Sequence, residues 1–110
     1  MRIEVEAADD RCVLHLKGRF TTGSNSDYLR TRDVLNAHSF RHVVADLRDV
    51  PYLDSTGLAF LVGLYNDAQA SRSNFAVSNA TRRSREVLEL TGLDEVIPVV
   101  EDQAAVAAAK

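Results

Sequence analysis

The run Val43-Val44-Ala45-Asp46-Leu47 constrains the fold more than any other part of this sequence, because its apolar residues are almost uninterrupted. Such a run is typical of a strand that is covered on both faces. The segment from Ser55 to about Ala70 predicts the strongest helix of the chain, and the short strand Phe75-Ala76-Val77-Ser78 follows it. A strand, a helix and a second strand in succession predict parallel strands joined by a right-handed crossover. The predicted core-facing stripe of the helix is Leu58, Leu61, Val62, Tyr65 and Ala68.

The flanking segments extend this pattern to the whole chain. Residues 2–17 alternate apolar and polar side chains on either side of Asp9-Asp10, which predicts a β-hairpin. A polar loop then leads into a helix with an imperfect apolar stripe, formed by Leu29, Val34, Leu35 and Ala37. The remaining predicted elements are a helix at 84–90 ended by Gly92, an edge strand at 96–100 and an alanine-rich C-terminal helix.

The predicted order of elements is therefore ββαβαβαβα, which is an α/β fold. We expect one domain over residues 1–110, with a mixed, mostly parallel five-stranded sheet. The opening hairpin is expected to form the antiparallel part of that sheet.

Composition and charge narrow the classes of function. The 110 residues are 45% hydrophobic and 26% charged, which is typical of a soluble folded domain, and the formal net charge of -3 argues against nonspecific binding to nucleic acid. No apolar run reaches the roughly 20 residues of a membrane helix, and the N-terminus does not resemble a signal peptide. The single cysteine, Cys12, lies between apolar residues and is predicted to be a buried, inert thiol. We therefore expect a cytoplasmic monomer without membrane contact.

The candidate functional segment lies between the apolar strand and the strongest helix. In open α/β sheets, functional residues cluster in the segments that connect the carboxyl end of a strand to the next helix. Here that segment contains the tetrapeptide Asp54-Ser55-Thr56-Gly57. Either Asp54 or Ser55 can cap the helix, and Gly57 leaves its first turn uncrowded for the backbone of another protein. A well-capped helix without further function explains the same residues equally well.

Two further features of this segment favour a binding switch. Phe60 and Leu64, beside Gly63, lie roughly opposite the predicted core stripe, so we expect them to form an exposed docking surface. Phosphorylation of Ser55 would add about -1.5 to -2 charges next to Asp54. The helix dipole would partly stabilise that phosphate, whereas acidic groups of a docked partner would be repelled.

The same residues carry a resemblance to a known family. Val44-Ala45-Asp46-Leu47, followed by Leu53-Asp54-Ser55-Thr56-Gly57-Leu58-Ala59, resembles the signature of STAS domains, above all the free-standing anti-sigma factor antagonists. The stretch Val77 to Thr81 and the later Leu90-Thr91-Gly92-Leu93 resemble the fourth strand and third helix of that family. Together these segments extend the resemblance over nearly the whole chain.

The resemblance implies a partner switch. The unphosphorylated protein would bind an anti-sigma factor that is also a serine kinase, and would thereby release a sigma factor. The kinase would phosphorylate Ser55 and end the complex, and a serine phosphatase would restore binding. On this interpretation the protein has no active site and no cofactor of its own. The expected partner-binding residues are Asp54, Ser55, Thr56, Gly57, Ala59, Phe60, Gly63, Leu64, Thr21, Arg82 and Arg83.

Two details bear on that interpretation. Thr21 stands where the family usually has an aspartate near the phosphorylated serine, which calls the usual partner contacts into question. Arg82, Arg83 and Arg85 form a basic cluster in a first helical turn, where the helix dipole disfavours cations. We expect this turn to open on the same sheet edge as Ser55, so that Arg82 or Arg83 can pair with an acidic partner surface; a solvated helix face is the alternative.

Other functions have less support in the sequence. His38 and His42 have the spacing of a helical metal pair, but they fall where a helix gives way to a strand and have no third ligand nearby. His15 is predicted to be an exposed strand residue, and no catalytic constellation is present. The main alternative is a soluble STAS subunit of a membrane lipid-transport complex, with Ser55 as a structural helix cap. A signalling scaffold of many copies is a third hypothesis.

Overall fold

The computed structural model describes residues 2–18, 25–37 and 40–100, and the predicted α/β fold is confirmed within them. One five-stranded sheet has the strand order β1-β2-β3-β4-β5, in which β1 and β2 are antiparallel and the later neighbours are parallel. The elements are β1 (Arg2–Ala8), β2 (Arg11–Lys17), α1 (Asn25–Ala37), β3 (His42–Asp49), α2 (Ser55–Ala70), β4 (Asn74–Ser78), α3 (Arg82–Thr91), a 3₁₀ turn (Leu93–Glu95) and β5 (Val99–Val100).

Strand β3 is the centre of the core, as its apolar run predicts. Its first six residues are buried. Val43, Ala45 and Leu47 point into the main hydrophobic cluster, and Val44 points into a smaller cluster with Ala76. Because successive side chains of a strand alternate between faces, these two clusters lie on opposite sides of the sheet.

The three described helices contribute to the main cluster. Leu35 of α1, Leu61 and Leu64 of α2, and Leu88 of α3 pack there with the inward-facing residues of the strands. The predicted stripe of α1 is only partly correct, since Leu35 is buried but Leu29 is 48% exposed. The helices thus cover one face of the sheet and carry their N-termini to the carboxyl edge of the parallel strands.

His15 is not the simply exposed strand residue that its alternation with apolar neighbours predicts. Its Nδ1 lies 3.1 Å from Asp46 Oδ2, and its Nε2 lies 2.8 Å from Glu6 Oε1. Asp46 Oδ1 also accepts a hydrogen bond from the Arg48 backbone N–H at 3.0 Å. Asp46, the one charged residue in the apolar run, is buried because these polar contacts replace water.

The ends of several elements differ from the sequence prediction. α3 begins at Arg82, two residues earlier than predicted, and it ends at Gly92, whose φ of 77° is the predicted left-handed cap. The predicted strand at 96–100 is reduced to Val99–Val100, because the N–H groups of Val96 and Ile97 still donate to the Leu93 carbonyl oxygen of the 3₁₀ turn. The predicted C-terminal helix lies outside the described residues.

Candidate functional site at the start of helix α2

Asp54, and not Ser55, caps helix α2. Asp54 has an extended backbone, and its Oδ1 accepts a hydrogen bond from the Gly57 N–H at 2.9 Å. Its carbonyl oxygen accepts the first intrahelical bond, from the Leu58 N–H, also at 2.9 Å. Ser55 is therefore the first residue of the helix proper, and its side chain is exposed. Its hydroxyl makes no hydrogen bond within the described part of the chain, so it is available for chemistry.

The core-facing side of α2 is wider than the predicted stripe. Within that stripe, Leu61 and Ala68 are buried, and the half-buried Leu58 and Tyr65 pack against the main cluster. Gly57, Phe60 and Leu64 are buried in addition. The expected docking surface of Phe60 and Leu64 is wrong, because Phe60 is 7% and Leu64 is 0% exposed. The physical reason is that α2 is apolar around most of its circumference, so periodicity alone does not fix its rotation.

This rotation changes which residues a partner can reach. Ser55, Thr56 and Ala59 are exposed along the first two turns, and Gly63 is half-buried beside them. Gly57 is buried on the core side, so the expected approach of a partner backbone at this glycine is also wrong. The exposed surface of the first two turns of α2 is consequently formed by small and hydroxyl side chains.

The N-terminus of α3 is attached to the loop that precedes Ser55. Thr81 caps α3 by accepting from the Ser84 N–H at 3.2 Å, and its hydroxyl lies 3.2 Å from the Pro51 carbonyl oxygen. The Ser84 hydroxyl lies 3.5 Å from the Val50 carbonyl oxygen. These contacts bring the starts of α2 and α3 to one sheet edge, as the sequence predicts.

The two predicted arginines at this edge differ in their partners. Both Arg82 and Arg83 are exposed. Arg82 Nε lies 3.5 Å from Glu86 Oε1, one turn further along α3. Arg83 forms no ion pair within the described residues, and it lines a groove of about 350 Å³ together with Tyr52, Leu53, Glu86 and Val87.

Comparison with known proteins places this arrangement in a family. The protein-family model with the description STAS domain matches residues 2–106 of this chain. The chain belongs to the STAS domain family. A STAS-domain containing protein of Pseudomonas aeruginosa is 27% identical over 89 residues, which are 79% of this chain and 85% of the relative. An anti-sigma F factor antagonist of Paenibacillus polymyxa is 22% identical over 105 residues, 94% of this chain and 89% of the relative.

A solved structure agrees with the sequence comparison. The crystal structure of an anti-sigma factor antagonist from Mycobacterium paratuberculosis superposes on this STAS domain with a TM-score of 0.82. The identity is 25%, and the alignment covers 98% of this chain and 92% of the other. The family that the residues around Ser55 predict is therefore confirmed.

Other predicted positions in this STAS domain have different outcomes. Thr21 lies outside the described residues, so the effect of the missing aspartate stays a prediction. His38 also lies outside them, and His42 is buried in β3. Among the described residues there is no group of three His, Cys, Asp or Glu side chains able to hold a metal ion. Over those residues, none of the helices has the length and apolar character needed to cross a membrane.

Sequence reasoning did not find the groove beside Ser55. Two of its lining residues, Tyr52 and Leu53, are an aromatic and an aliphatic side chain in a loop, directly before the cap Asp54. Leu53 and Leu58 occupy the positions of a hydrophobic staple; Leu53 belongs to the main cluster, and the half-buried Leu58 packs against it. That pattern predicts the packing of Leu53, but the opposite wall of the groove comes from α3, 30 residues further along the chain.

Proposed function

We propose that this STAS domain is an anti-sigma factor antagonist whose binding is controlled by phosphorylation of Ser55. The unphosphorylated protein binds an anti-sigma factor with serine kinase activity in the cytoplasm and so releases a sigma factor. The observation that carries the proposal is the exposed Ser55 hydroxyl, which capping does not use because Asp54 performs that role. Relatives named anti-sigma factor antagonists support the same role.

The position of Ser55 suits a reversible charge switch. A phosphate on the first residue of a helix is favoured by the unpaired N–H groups and the dipole, typically by about 0.3–1 kcal/mol. The neighbouring Asp54 carboxylate opposes part of that gain. A phosphoryl group therefore changes the stability of the fold little, while its two negative charges repel an acidic partner and hydrate the contact.

The proposed partner surface follows the residues that are accessible at this edge. It comprises Asp54, Ser55, Thr56, Ala59, Gly63, Arg82 and Arg83. Small side chains on α2 allow close approach of the partner, and the two arginines add positive charge at one side. Phe60, Leu64 and Gly57 act indirectly, because they fix the rotation of α2 from the core side.

Affinity capture with paired baits tests the proposal. Ser55→Ala keeps the binding form, and Ser55→Asp imitates the phosphorylated form. An ATP-dependent serine kinase retained by the alanine bait and lost from the aspartate bait is the expected result. Ser71→Asp is the matched control, since it adds the same charge at an exposed position beyond the far end of α2 and should retain the kinase.

Modification of the protein is tested with the captured kinase. Incubation with ATP should add one phosphate to the wild type and to Thr56→Ala, and none to Ser55→Ala, as measured by mass spectrometry. A serine phosphatase should restore binding. Equal retention of the kinase by both Ser55 baits would overturn the switch, and equal capture of membrane-transport subunits would favour the lipid-transport alternative.

A further inference from the structure

We infer that the groove between the β3–α2 loop and helix α3 receives an apolar side chain of the binding partner, with a carboxylate next to it that pairs with Arg83. This inference rests on the proposed function for the identity of the partner. It deepens that function by adding the groove to the partner surface, which already includes Arg83, and by naming the chemistry that the groove recognises.

The volume of the groove is that of a side chain and not of a helix or strand. One wall is formed by Tyr52 and Leu53 of the loop, and the other by Arg83, Glu86 and Val87 of α3. Positions 83, 86 and 87 lie on one face of a helix, one turn apart. A volume of about 350 Å³ is at the small end of ligand pockets and holds one or two side chains.

Two of the five residues that line the groove, Leu53 and Val87, are aliphatic and connect it to the core. Leu53 is 4% exposed and belongs to the main hydrophobic cluster, and the half-buried Val87 packs against that cluster. An apolar side chain that enters the groove therefore extends the core outward and removes its own surface from water. Tyr52 is half-buried at the wall, and an aromatic ring of this kind is typical of interface contacts.

The charged side chains at the rim of the groove determine which type of residue the partner should carry next to its apolar side chain. Glu86 is engaged by Arg82 at 3.5 Å, whereas Arg83 has no ion pair within the described chain. The uncompensated charge at the groove is thus positive. Arg83 lies in the first turn of α3, where the helix dipole disfavours a positive charge. A carboxylate of the partner would form a charge-assisted hydrogen bond with Arg83 and would offset this repulsion.

The walls are held in place before binding. Thr81 and Ser84 of α3 contact the carbonyl oxygens of Pro51 and Val50, directly before Tyr52 in the loop. A preformed groove reduces the entropy lost when a partner segment binds. Because Leu53 is two residues from Ser55, a partner seated in the groove also reaches the phosphorylation site.

A peptide titration followed by amide chemical shifts tests the inference without the unidentified partner. The two probes are acetyl-Ala-Leu-Asp-Ala-amide and acetyl-Ala-Leu-Lys-Ala-amide, each added to the wild type, Arg83→Gln and Arg72→Gln. The acidic peptide should shift the amides of residues 52, 53, 83, 86 and 87. Its apparent Kd should be about two- to fivefold lower than that of the lysine peptide, as expected for one exposed ion pair.

The controls separate charge recognition from general effects. Arg83→Gln should abolish the preference for the acidic peptide, and Arg72→Gln, which removes the same charge in the turn after α2, should preserve it. No shifts at the groove, or equal affinity of both peptides for the wild type, would overturn the inference. Failure of the Ser55 baits to distinguish a kinase would instead overturn the proposed function and leave the peptide result unaffected.

Discussion

At the scale of single residues, the division of roles between Asp54 and Ser55 decides how the site can work. Both residue types cap helices, so the sequence left the choice open. The geometry assigns the cap to Asp54, whose carboxylate accepts from the Gly57 N–H. Asp54 thus caps the helix while the neighbouring Ser55 leaves its hydroxyl exposed, so the proposed phosphorylation of Ser55 would not remove the cap.

This division of roles predicts that Asp54→Ala and Ser55→Ala change the free energy of unfolding by different amounts. Asp54→Ala removes the cap and should lower the free energy of unfolding by about 1 kcal/mol. Ser55→Ala should change it by less than about 0.5 kcal/mol, because the hydroxyl that is removed is exposed and has no hydrogen-bond partner among the described residues. Urea unfolding measures both, and Asp54→Asn is the control that retains a capping oxygen. A loss for Ser55→Ala as large as that for Asp54→Ala would make Ser55 the cap, as the transport-subunit alternative requires.

Cys12 gives a second prediction at this scale. Its side chain is fully buried, and burial raises the pKa of the thiol from 9.0 to about 11. The unfolded thiol loses its proton above about pH 9, while the folded one keeps it to about pH 11. The unfolded state then binds fewer protons, so the free energy of unfolding should fall as pH rises through this window, by at most about 1.4 kcal/mol per pH unit.

Urea unfolding between about pH 8 and about pH 10.5 measures this effect. Cys12→Ala is the matched control, because it removes the thiol and leaves the other titrating groups in place. The variant should lose stability less steeply with pH than the wild type. Equal slopes would contradict the prediction, since they would mean that Cys12 ionises alike in both states.

At the scale of elements, the strands were more predictable than the rotation of the helices. The run in β3 is apolar because it is central in the sheet, and alternation in β1 and β2 identifies the hairpin directly. In α2, apolar residues lie on nearly all sides, so several stripes are consistent with the sequence. Packing against the sheet and α1 selects among them. The groove could not be predicted from the sequence either, because it forms only where α3 packs beside the loop between β3 and α2.

The rotation of α2 predicts a large effect at a position that the sequence alone would place on the surface. Leu64→Ala removes a fully buried side chain from the main cluster and should cost about 2–5 kcal/mol. Leu90→Ala is the matched control, because Leu90 is 87% exposed on α3 and should change stability by less than about 0.5 kcal/mol. Similar losses in urea unfolding for the two variants would contradict the observed rotation.

At the scale of the whole molecule, burial is concentrated at the centre of the sheet, and the candidate site lies at its edge. β3 lies between two parallel neighbours and is buried on both faces, whereas β5 has two residues and one neighbour. The loop after β3 and the starts of α2 and α3 lie at the carboxyl edge. Under the proposed function, a phosphate on Ser55 would be added at this edge without entering the core.

This gradient predicts the pattern of native-state hydrogen exchange. Amides of residues 43–47 should exchange only through global unfolding, so their exchange free energy should equal that from urea unfolding. Val99 and Val100 should exchange through local opening at lower free energy, because fewer contacts are lost there. Ser55→Asp should leave the values in β3 unchanged, since its charge lies outside the core. Faster exchange in β3 than in β5 would contradict the gradient. A loss of β3 protection in Ser55→Asp would show that a negative charge at position 55 destabilises the core.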